Sequence, residues 1–305
     1  MSLNEYDNLT WVAVRDPRAA FKDDPRIDAQ WQPLRFHSRP DFDAAIVEHQ
    51  AFVECLTNAG CKVIYLEDAE GLTLDSIYTR DALLVSPKGL ILCHMGRPTR
   101  RSEPALNSAQ LAAQLASPHL LHSRQHLPLT IAGEIYAPGT LEGGDLIWLD
   151  DHRLAVGLGP RTNQAGIDQL KQIVGPDVEV HVVPLPAPTH PEDVFHLMSM
   201  ISPLAKDLAL IYRPLMPASF LRWLTALGIE LVEVPDVEFP TMGCNVLATA
   251  PRQVLMLDGL DLTRQRLIAA GCQVTVYQGD HISRKGEGGP TCLTRPLVRS
   301  IDVGE

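Results

Sequence analysis

The chain has 305 residues, of which 45% are apolar and 21% charged, and this balance predicts a soluble globular protein with a sizeable core. Its formal net charge is −11 and its basic residues are scattered, which argues against a nucleic-acid or anionic-membrane partner. No run approaches the roughly 18 apolar residues of a membrane helix, and the start, MSLNEYDNLT, lacks a basic-then-apolar signal segment.

One pattern recurs along the chain: an amphipathic helix, a glycine that ends it, and a short strand in which apolar residues alternate. Glycine is favoured just after a helix because it adopts the left-handed conformation, and a period of two indicates a half-buried strand. The helices are predicted at residues 44–58, from Asn163 onward, at 218–226 and at 263–269, and the strands lie within 59–68, 174–185, 227–236 and 270–279.

Paired apolar runs that predict β-hairpins separate these segments. They are residues 76–85 with 89–96, 144–150 with 152–159, 196–204 with 208–214, and 245–250 with 253–259. A fifth helix–strand unit fits residues 106–132, with a helix at 108–116 and a strand in LPLTIA. Repetition at roughly 50 residues predicts one closed array of similar units.

The array is expected to form a single domain over residues 1–305, with a core from about 11 to 297, because no Gly/Ser-rich or Pro-rich linker divides the chain. A doubly wound sheet is the competing prediction. It is less favoured, since a simple βαβ crossover contains no hairpin.

Charged and polar residues stand where the inner hairpins begin, at equivalent places in successive units. If the units form a ring, these residues converge on one central site. The positions are Asp75, Arg80 and Asp81, then Glu142 and Asp145, then His196, Asn245 and Cys292.

Cys292 is the cysteine that calls for a chemical explanation, because it follows two glycines and a proline in GEGGPTCL. The six cysteines are far apart and contain no CxxC pair, so the sequence predicts no zinc site, no disulfide framework and a reducing cytoplasm. Cys61, Cys93, Cys244 and Cys272 are expected in the core.

The polar set predicts a thiol-based reaction. A thiol needs a nearby cation to be held as thiolate; His196 can supply it, and Glu142 can orient the imidazole. His190 is the rival histidine but stands in a proline-rich loop sequence. Asp75, Asp81 and Asp145 suit a cationic, planar group such as guanidinium. Arg100, Arg101 and Arg161, near hairpin exits, can hold a substrate carboxylate.

Five stretches resemble successive motifs of the guanidino-group-modifying (amidinotransferase, or pentein) superfamily, which includes dimethylarginine dimethylaminohydrolases, arginine deiminases and amidinotransferases. The resemblance runs in order from about residue 11 to 297. The stretches are LEGGDLIWL (141–149), VGLGPRTNQAGIDQL (156–170), FHLMSMISPL (195–204), MGCNVLA (242–248) and GEGGPTCL (286–293).

The resemblance implies a five-bladed α/β propeller that needs no metal or organic cofactor. It implies a catalytic Cys–His–Glu set, here Cys292, His196 and Glu142, in which the thiolate attacks the guanidinium carbon. By the same matching, Asp75 and Asp81 would bind the guanidinium group of the substrate, and Arg100 and Arg161 would bind its carboxylate.

Two departures from the family's pattern bear on the substrate. Arginine deiminases have an aspartate two residues after the histidine, where this chain has Met198, which makes unsubstituted arginine a poor fit. Arg80 precedes Asp81, as in the deiminases, where the dimethylarginine enzymes tend to have an acid. The two departures point in opposite directions.

The sequence therefore predicts a cytoplasmic hydrolase that cleaves a C–N bond of an arginine-like guanidino compound, such as a methylated arginine. An arginine deiminase or an amidinotransferase is the alternative; an agmatine deiminase fits less well if Arg161 holds a carboxylate. A non-catalytic guanidine-binding propeller is disfavoured because both Cys292 and His196 are present. The expected partner is a small molecule, and a homodimer is compatible with the sequence.

Overall fold

Within the residues that the computed structural model describes (2–115, 130–187 and 195–300), the strands form five three-stranded sheets. Each sheet contains an antiparallel pair and a third strand parallel to the central one. The strands are β1 Asn8–Val14, β2 Lys62–Tyr65, β3 Leu83–Ser86, β4 Gly89–Leu92, β5 Ile131–Glu134, β6 Leu146–Asp150, β7 Arg153–Leu158, β8 Glu179–Pro184, β9 Ile201–Ala205, β10 Leu208–Ile211, β11 Glu230–Glu233, β12 Leu247–Ala250, β13 Gln253–Leu257, β14 Gln273–Tyr277 and β15 Arg295–Ser300.

Helices connect the central strand of each sheet to its third strand. The helices are α1 Pro17–Ala20, α2 Asp24–Gln30, α3 Phe42–Asn58, α4 Glu103–Leu115, α5 Gln164–Val174, α6 Ala218–Ala226 and α7 Asp261–Ala269. This repeated hairpin–helix–strand unit confirms the predicted five-bladed α/β propeller and excludes the doubly wound sheet.

The predicted glycine stops are confirmed by the backbone. Gly60, Gly175, Gly228 and Gly271 have φ of 87°, 89°, 77° and 83°, the left-handed region that glycine enters without a Cβ penalty. The start of α5 is also as predicted, because the Asn163 side chain accepts a hydrogen bond of 2.9 Å from the Gly166 amide.

The fifth unit was predicted less accurately. Its helix α4 begins five residues before the expected 108, and its strand β5 lies further along the chain than LPLTIA. The two segments overlap at residues 131–132, whereas residues 127–129 of LPLTIA lie outside the described part, as does His190.

The ring is closed by the two ends of the described chain. β15 pairs with β1 in antiparallel register, so Asn8 lies opposite Ser300, and β1 pairs in parallel with β2. β15 therefore takes the place that the first hairpin strand has in the other sheets. Neighbouring sheets also contact one another, β9 with β12, β12 with β1, and β15 with β3.

The inner strands carry the core. All residues of β3, β4, β9 and β10 are buried, which explains their continuous apolar runs, whereas the third strands β8, β11 and β14 are partly exposed and alternate more. As predicted, Cys61, Cys93, Cys244 and Cys272 are buried. No helix in the described part of the chain is long and apolar enough to cross a membrane.

Candidate active site

A cavity of about 390 Å³ opens where the polar turns of several blades meet. Six of the residues predicted from the sequence line it: Asp75, Asp81, Arg100, Arg161, His196 and Cys292. The structure adds Tyr78, Arg97 and two segments of the rim, residues 34–37 and 286–288. Glu142 and Asp145 lie behind this wall and act on it through His196 and its neighbours.

Cys292 is held by a glycine-rich loop that packs closely on the rest of the site. A Cβ on Gly289 would lie 2.5 Å from the Asn245 side chain, and one on Gly288 would lie 2.1 Å from the Tyr78 ring. The main chain here approaches its neighbours more closely than any other residue type would permit. The Cys292 carbonyl accepts a hydrogen bond of 3.2 Å from the Arg80 amide, which fixes the loop to the turn before β3.

Two polar side chains lie near the Cys292 sulfur: Asn245 and, with its hydroxyl 3.9 Å away, Thr291. Asn245 Nδ2 lies 3.2 Å from Cys292 Sγ, and Asn245 Oδ1 accepts hydrogen bonds from the amide and hydroxyl of Thr291. Burial raises the pKa of Cys292, and the negative charge of Asp81 adds to the increase, while the bonds from Asn245 and Thr291 oppose it. Without a ligand the sulfur is therefore held as a thiol at neutral pH.

His196 and Glu142 form a buried pair. His196 Nε2 donates to Glu142 Oε2 at 2.8 Å, and His196 Nδ1 lies 4.0 Å from Asp81 Oδ1. Burial opposes a charge on His196, but Asp81, Asp145 and Glu142 outweigh it and raise its pKa to about 9. Gly144 makes this packing fit, since a Cβ there would lie 2.6 Å from His196 Nδ1.

Glu142 is completely buried and fully paired. Its Oε1 accepts bonds from the Arg97 amide at 3.2 Å and from Arg161 NH1 at 3.3 Å. Burial alone would raise its pKa, yet Arg161 and His196 overcome it and lower the pKa to about 2. Glu142 thus stays ionised and stabilises the protonated imidazole across neutral pH.

Asp81 faces the cavity and is fixed from behind. Its Oδ2 accepts a bond of 2.6 Å from Arg100 NH1, and its Oδ1 accepts one of 3.0 Å from the Gly144 amide. Most of the N–H donors of Arg100 are already engaged. Its Nε and NH2 donate to Glu103, and NH2 also donates to the Tyr78 carbonyl. The structure thus places Arg100 in the wall as the support of Asp81.

Asp75 and Arg97 form the second ion pair of the cavity. Arg97 NH1 lies 2.7 Å from Asp75 Oδ2, and Arg97 NH2 donates to the Leu34 carbonyl at 3.0 Å. Of the three arginines in the GRPTRR stretch, the sequence predicted only Arg100 and Arg101 as site residues, and the structure adds Arg97 to the cavity wall. Arg101 is exposed and does not line the cavity.

Three other residues singled out in the sequence do not face the cavity. Asp145 is fully buried and its Oδ1 accepts a bond of 3.0 Å from the Leu197 amide, with burial raising its pKa to about 6. Arg80 points away, with NH1 on Glu5 Oε2 at 3.1 Å and Nε on the Thr291 carbonyl at 3.0 Å. Met198 is packed in the core and is not part of the cavity wall.

Asp81, Glu142 and His196 form a group of potential metal ligands in the described part of the chain, with the ligand atoms within 4.8 Å of one another. Their chemistry fits a metal ion poorly. Asp81 is already paired with Arg100, Glu142 is paired with Arg161, and the raised pKa of His196 keeps protons on both ring nitrogens.

Two segments form the rim above the thiol. His37 Nε2 and Glu287 Oε1 are 2.8 Å apart, and the His37 amide donates to the Lys285 carbonyl at 2.7 Å. Arg35 and Glu287 have positive φ of 64° and 60°, so each segment turns sharply at the cavity mouth. Nothing in the apolar periodicity of the sequence marked these residues.

Comparison with known proteins gives a consistent result. Residues 26–299 match the family described as N,N dimethylarginine dimethylhydrolase, eukaryotic. The N(G),N(G)-dimethylarginine dimethylaminohydrolase of Streptomyces coelicolor is 28% identical over 265 residues, which are 86% of this chain and 89% of that protein. The arginine deiminase of Listeria welshimeri is 28% identical over 259 residues, which are 73% of this chain and 61% of the deiminase.

The fold is shared with solved structures. A mutant dimethylarginine dimethylaminohydrolase from Pseudomonas aeruginosa, in complex with citrulline, superposes with a TM-score of 0.71 at 20% identity. The superposition covers 94% of this chain and 98% of that one.

Proposed function

Because this chain belongs to the N,N-dimethylarginine dimethylhydrolase family, and is therefore a hydrolase of C–N bonds in guanidino compounds, we propose that it cleaves a substituted ω-guanidino carboxylate at Cys292. The products are a ureido acid and an amine. The observation that supports this most strongly is the grouping of a thiol, a raised-pKa imidazole and a carboxylate around one cavity.

The reaction begins with binding of the cationic guanidinium against Asp81. The positive charge of the guanidinium offsets the negative charge of Asp81 beside the sulfur. The Cys292 pKa therefore falls, and the thiol loses its proton to solvent. The thiolate then attacks the guanidinium carbon and forms a C–S bond.

His196 serves next as the general acid. It donates its proton to the leaving nitrogen, the C–N bond breaks, and the amine departs, which leaves a thiouronium on Cys292. The imidazole, now neutral, removes a proton from water, whose oxygen attacks the same carbon. The C–S bond then breaks, the remaining hydroxyl proton passes to the departing sulfur, and the ureido product is released. Cys292 is again a thiol, and His196 is again protonated with Glu142 behind it.

The test is a Cys292→Ser variant assayed for ureido products, with Cys55→Ser as the matched control. Cys55 is the other half-buried thiol and lies on α3, away from the cavity. Turnover should be lost in the first variant and kept in the second. A wild-type sample quenched at low pH during turnover should carry a mass adduct on the peptide that contains Cys292.

Full turnover by Cys292→Ser would contradict the proposal. The same assay separates hydrolysis from transfer, because a hydrolase releases ureido product with no acceptor amine present. A requirement for an acceptor would instead favour the amidinotransferase alternative.

A further inference from the structure

The cavity already contains a guanidinium that belongs to the protein. Arg97 spans two acceptors, the Asp75 carboxylate and the Leu34 carbonyl, at 2.7 Å and 3.0 Å. Arg97 is largely buried, with 15% of its side chain exposed. The chain therefore places its own cation where a positively charged part of a ligand would otherwise be bound.

Each carboxylate that lines the cavity already faces a basic side chain of the protein itself. Among the described residues that line the cavity, Asp75 is paired with Arg97, Asp81 with Arg100, and Glu287 with His37. Asp81 adjoins His196 and Cys292, where the guanidinium of the substrate is required by the proposed reaction. An ammonium group placed near Asp75 would have to displace Arg97 or lie beside it.

The same region suits an anion. Arg97, Arg100 and Arg161 all line the cavity, and all three act electrostatically on Asp75. Arg100 has four of its five N–H donors engaged. Within the described part of the chain, Arg161 donates only from NH1 to Glu142, which leaves its other donors for a ligand. A carboxylate between Arg97 and Arg161 would relieve the repulsion between these two cations.

We propose that the preferred substrate of this enzyme is an ω-guanidino acid that has a terminal carboxylate and no α-ammonium group. Arg97, held by Asp75 and the Leu34 carbonyl, occupies the position of that ammonium and binds the carboxylate together with Arg161. Asp75 is then a positioning residue for Arg97 rather than a guanidinium ligand. This inference rests on the proposed function and narrows its substrate class.

The first experiment compares matched substrates with the wild-type enzyme. Arginine, monomethylarginine and asymmetric dimethylarginine are each paired with the deamino analogue, in which hydrogen replaces the α-ammonium group. In the pair that is turned over, kcat/KM should be about tenfold or more higher for the deamino member. The α-ammonium group of the amino member would be buried without a partner, which lowers binding by at least that factor. A preference of that size for the amino member would overturn the inference and leave the proposed function intact.

Failure of both members of every pair, with no adduct on Cys292, would contradict the proposed function itself. The inference would then fall with it. The two failures are therefore distinguishable in one set of assays.

The second experiment changes Arg97. Arg97→Met keeps the apolar stem but frees Asp75 and the Leu34 carbonyl, so the ratio of kcat/KM should shift toward the amino member by about tenfold. Arg101→Met is the matched control, because it removes the same charge from an exposed residue outside the cavity. Arg97→Lys is the second variant, for use if Arg97→Met does not fold. A lysine can contact either the Asp75 carboxylate or the Leu34 carbonyl, but not both. It should give an intermediate ratio, and an unchanged ratio in a folded Arg97 variant would contradict the role.

Discussion

Protonation at the site is decided by individual side chains. His196 is buried, and burial alone would keep it neutral at pH 7; the surrounding carboxylates reverse this and raise its pKa to about 9. Cys292 is shifted in the unproductive direction, toward the thiol, by burial and by Asp81. In the proposed reaction, the free enzyme therefore has a protonated His196 as its acid but an un-ionised Cys292, and the bound substrate cation would lower the pKa of the thiol.

This arrangement predicts a bell-shaped dependence of kcat on pH. In the complex, where the substrate cation lowers the Cys292 pKa, the rate should rise with pH as Cys292 ionises and fall as His196, whose pKa is about 9 in the free enzyme, loses the proton that the leaving amine needs. In Glu142→Gln the falling limb should move to lower pH, because the imidazolium loses an anionic partner. Glu230→Gln, on the exposed edge of β11, should leave the profile unchanged.

His196 and Glu142 both stabilise the folded protein, but their contributions change with pH in opposite directions. His196 has its pKa raised in the folded state, so its contribution is present below pH 6.5 and is lost as pH rises toward about 9. Glu142 has its pKa lowered to about 2, so its contribution is present above about pH 4.5 and is lost as pH falls toward 2. Both contributions should therefore be present together near pH 5 to 6.

The loop of residues 286–292 shows how an element creates the site. Its glycines permit contacts that any side chain would block, and those contacts place Thr291 on Asn245 and Cys292 below the rim. The position of the loop is therefore set by close steric contacts as well as by hydrogen bonds. A single methyl group should therefore change catalysis.

We expect Gly289→Ala to lower kcat by about tenfold or more, because a Cβ at 2.5 Å from Asn245 must displace the donor to the thiol. Gly271→Ala is the control: its Cβ would meet nothing closer than 3.9 Å, but its φ is 83°. That variant should cost about 1 kcal/mol of unfolding free energy with kcat unchanged. Equal kcat values in the two folded variants would contradict this account of the loop.

The sequence predicted elements well where a local signal was strong. Helix ends marked by Gly60, Gly175, Gly228 and Gly271 were placed correctly, since the left-handed turn is a property of the residue itself. β5 was misplaced because its sequence IAGE has little strand character and is held by pairing with β4, in a register that shifts between Leu90 and Ile91. The pairing of β4 with β5 is a long-range contact, so the local sequence around β5 does not predict it.

The site was predicted in the same uneven way. Asp81, His196 and Cys292 share the cavity as their equivalent positions in the repeat predicted. Arg100 and Arg101 were predicted from the GRPTRR stretch and Arg97 was not, because the direction of each side chain depends on the turn at Pro98–Arg100. That turn brings Arg100 onto Glu103, three residues later, and leaves Arg97 facing Asp75.

At the scale of the whole molecule, one buried ion pair and several buried hydrogen bonds that have no part in the proposed chemistry join distant segments of the chain. Arg80, which is fully buried, joins Glu5 near the start of the chain to the Thr291 carbonyl beside the thiol. Arg295 donates to the carbonyls of Arg80 and Leu83. These contacts connect the first and last segments of the chain to the blade of β3.

Glu5→Ala should therefore destabilise the protein by about 3–5 kcal/mol, because it leaves the Arg80 guanidinium buried without a counter-ion. Urea denaturation measures the change. The double variant Glu5→Leu with Arg80→Met should recover much of the loss, since it removes both charges. A cost below about 1 kcal/mol for Glu5→Ala would show that the pair behaves like an exposed one.

The closure of the ring between β1 and β15 separates the geometry of the site from the order of its residues in the chain. Asn8 and Ser300 lie opposite each other, so a circular permutant that joins the polypeptide there and opens it at the turn between β9 and β10 would keep the same five blades. In that permutant Cys292 would precede Glu142, and His196 would follow both. The linear order of the three residues is thus set by the place where the circle is cut, while their proximity is set by the circle itself.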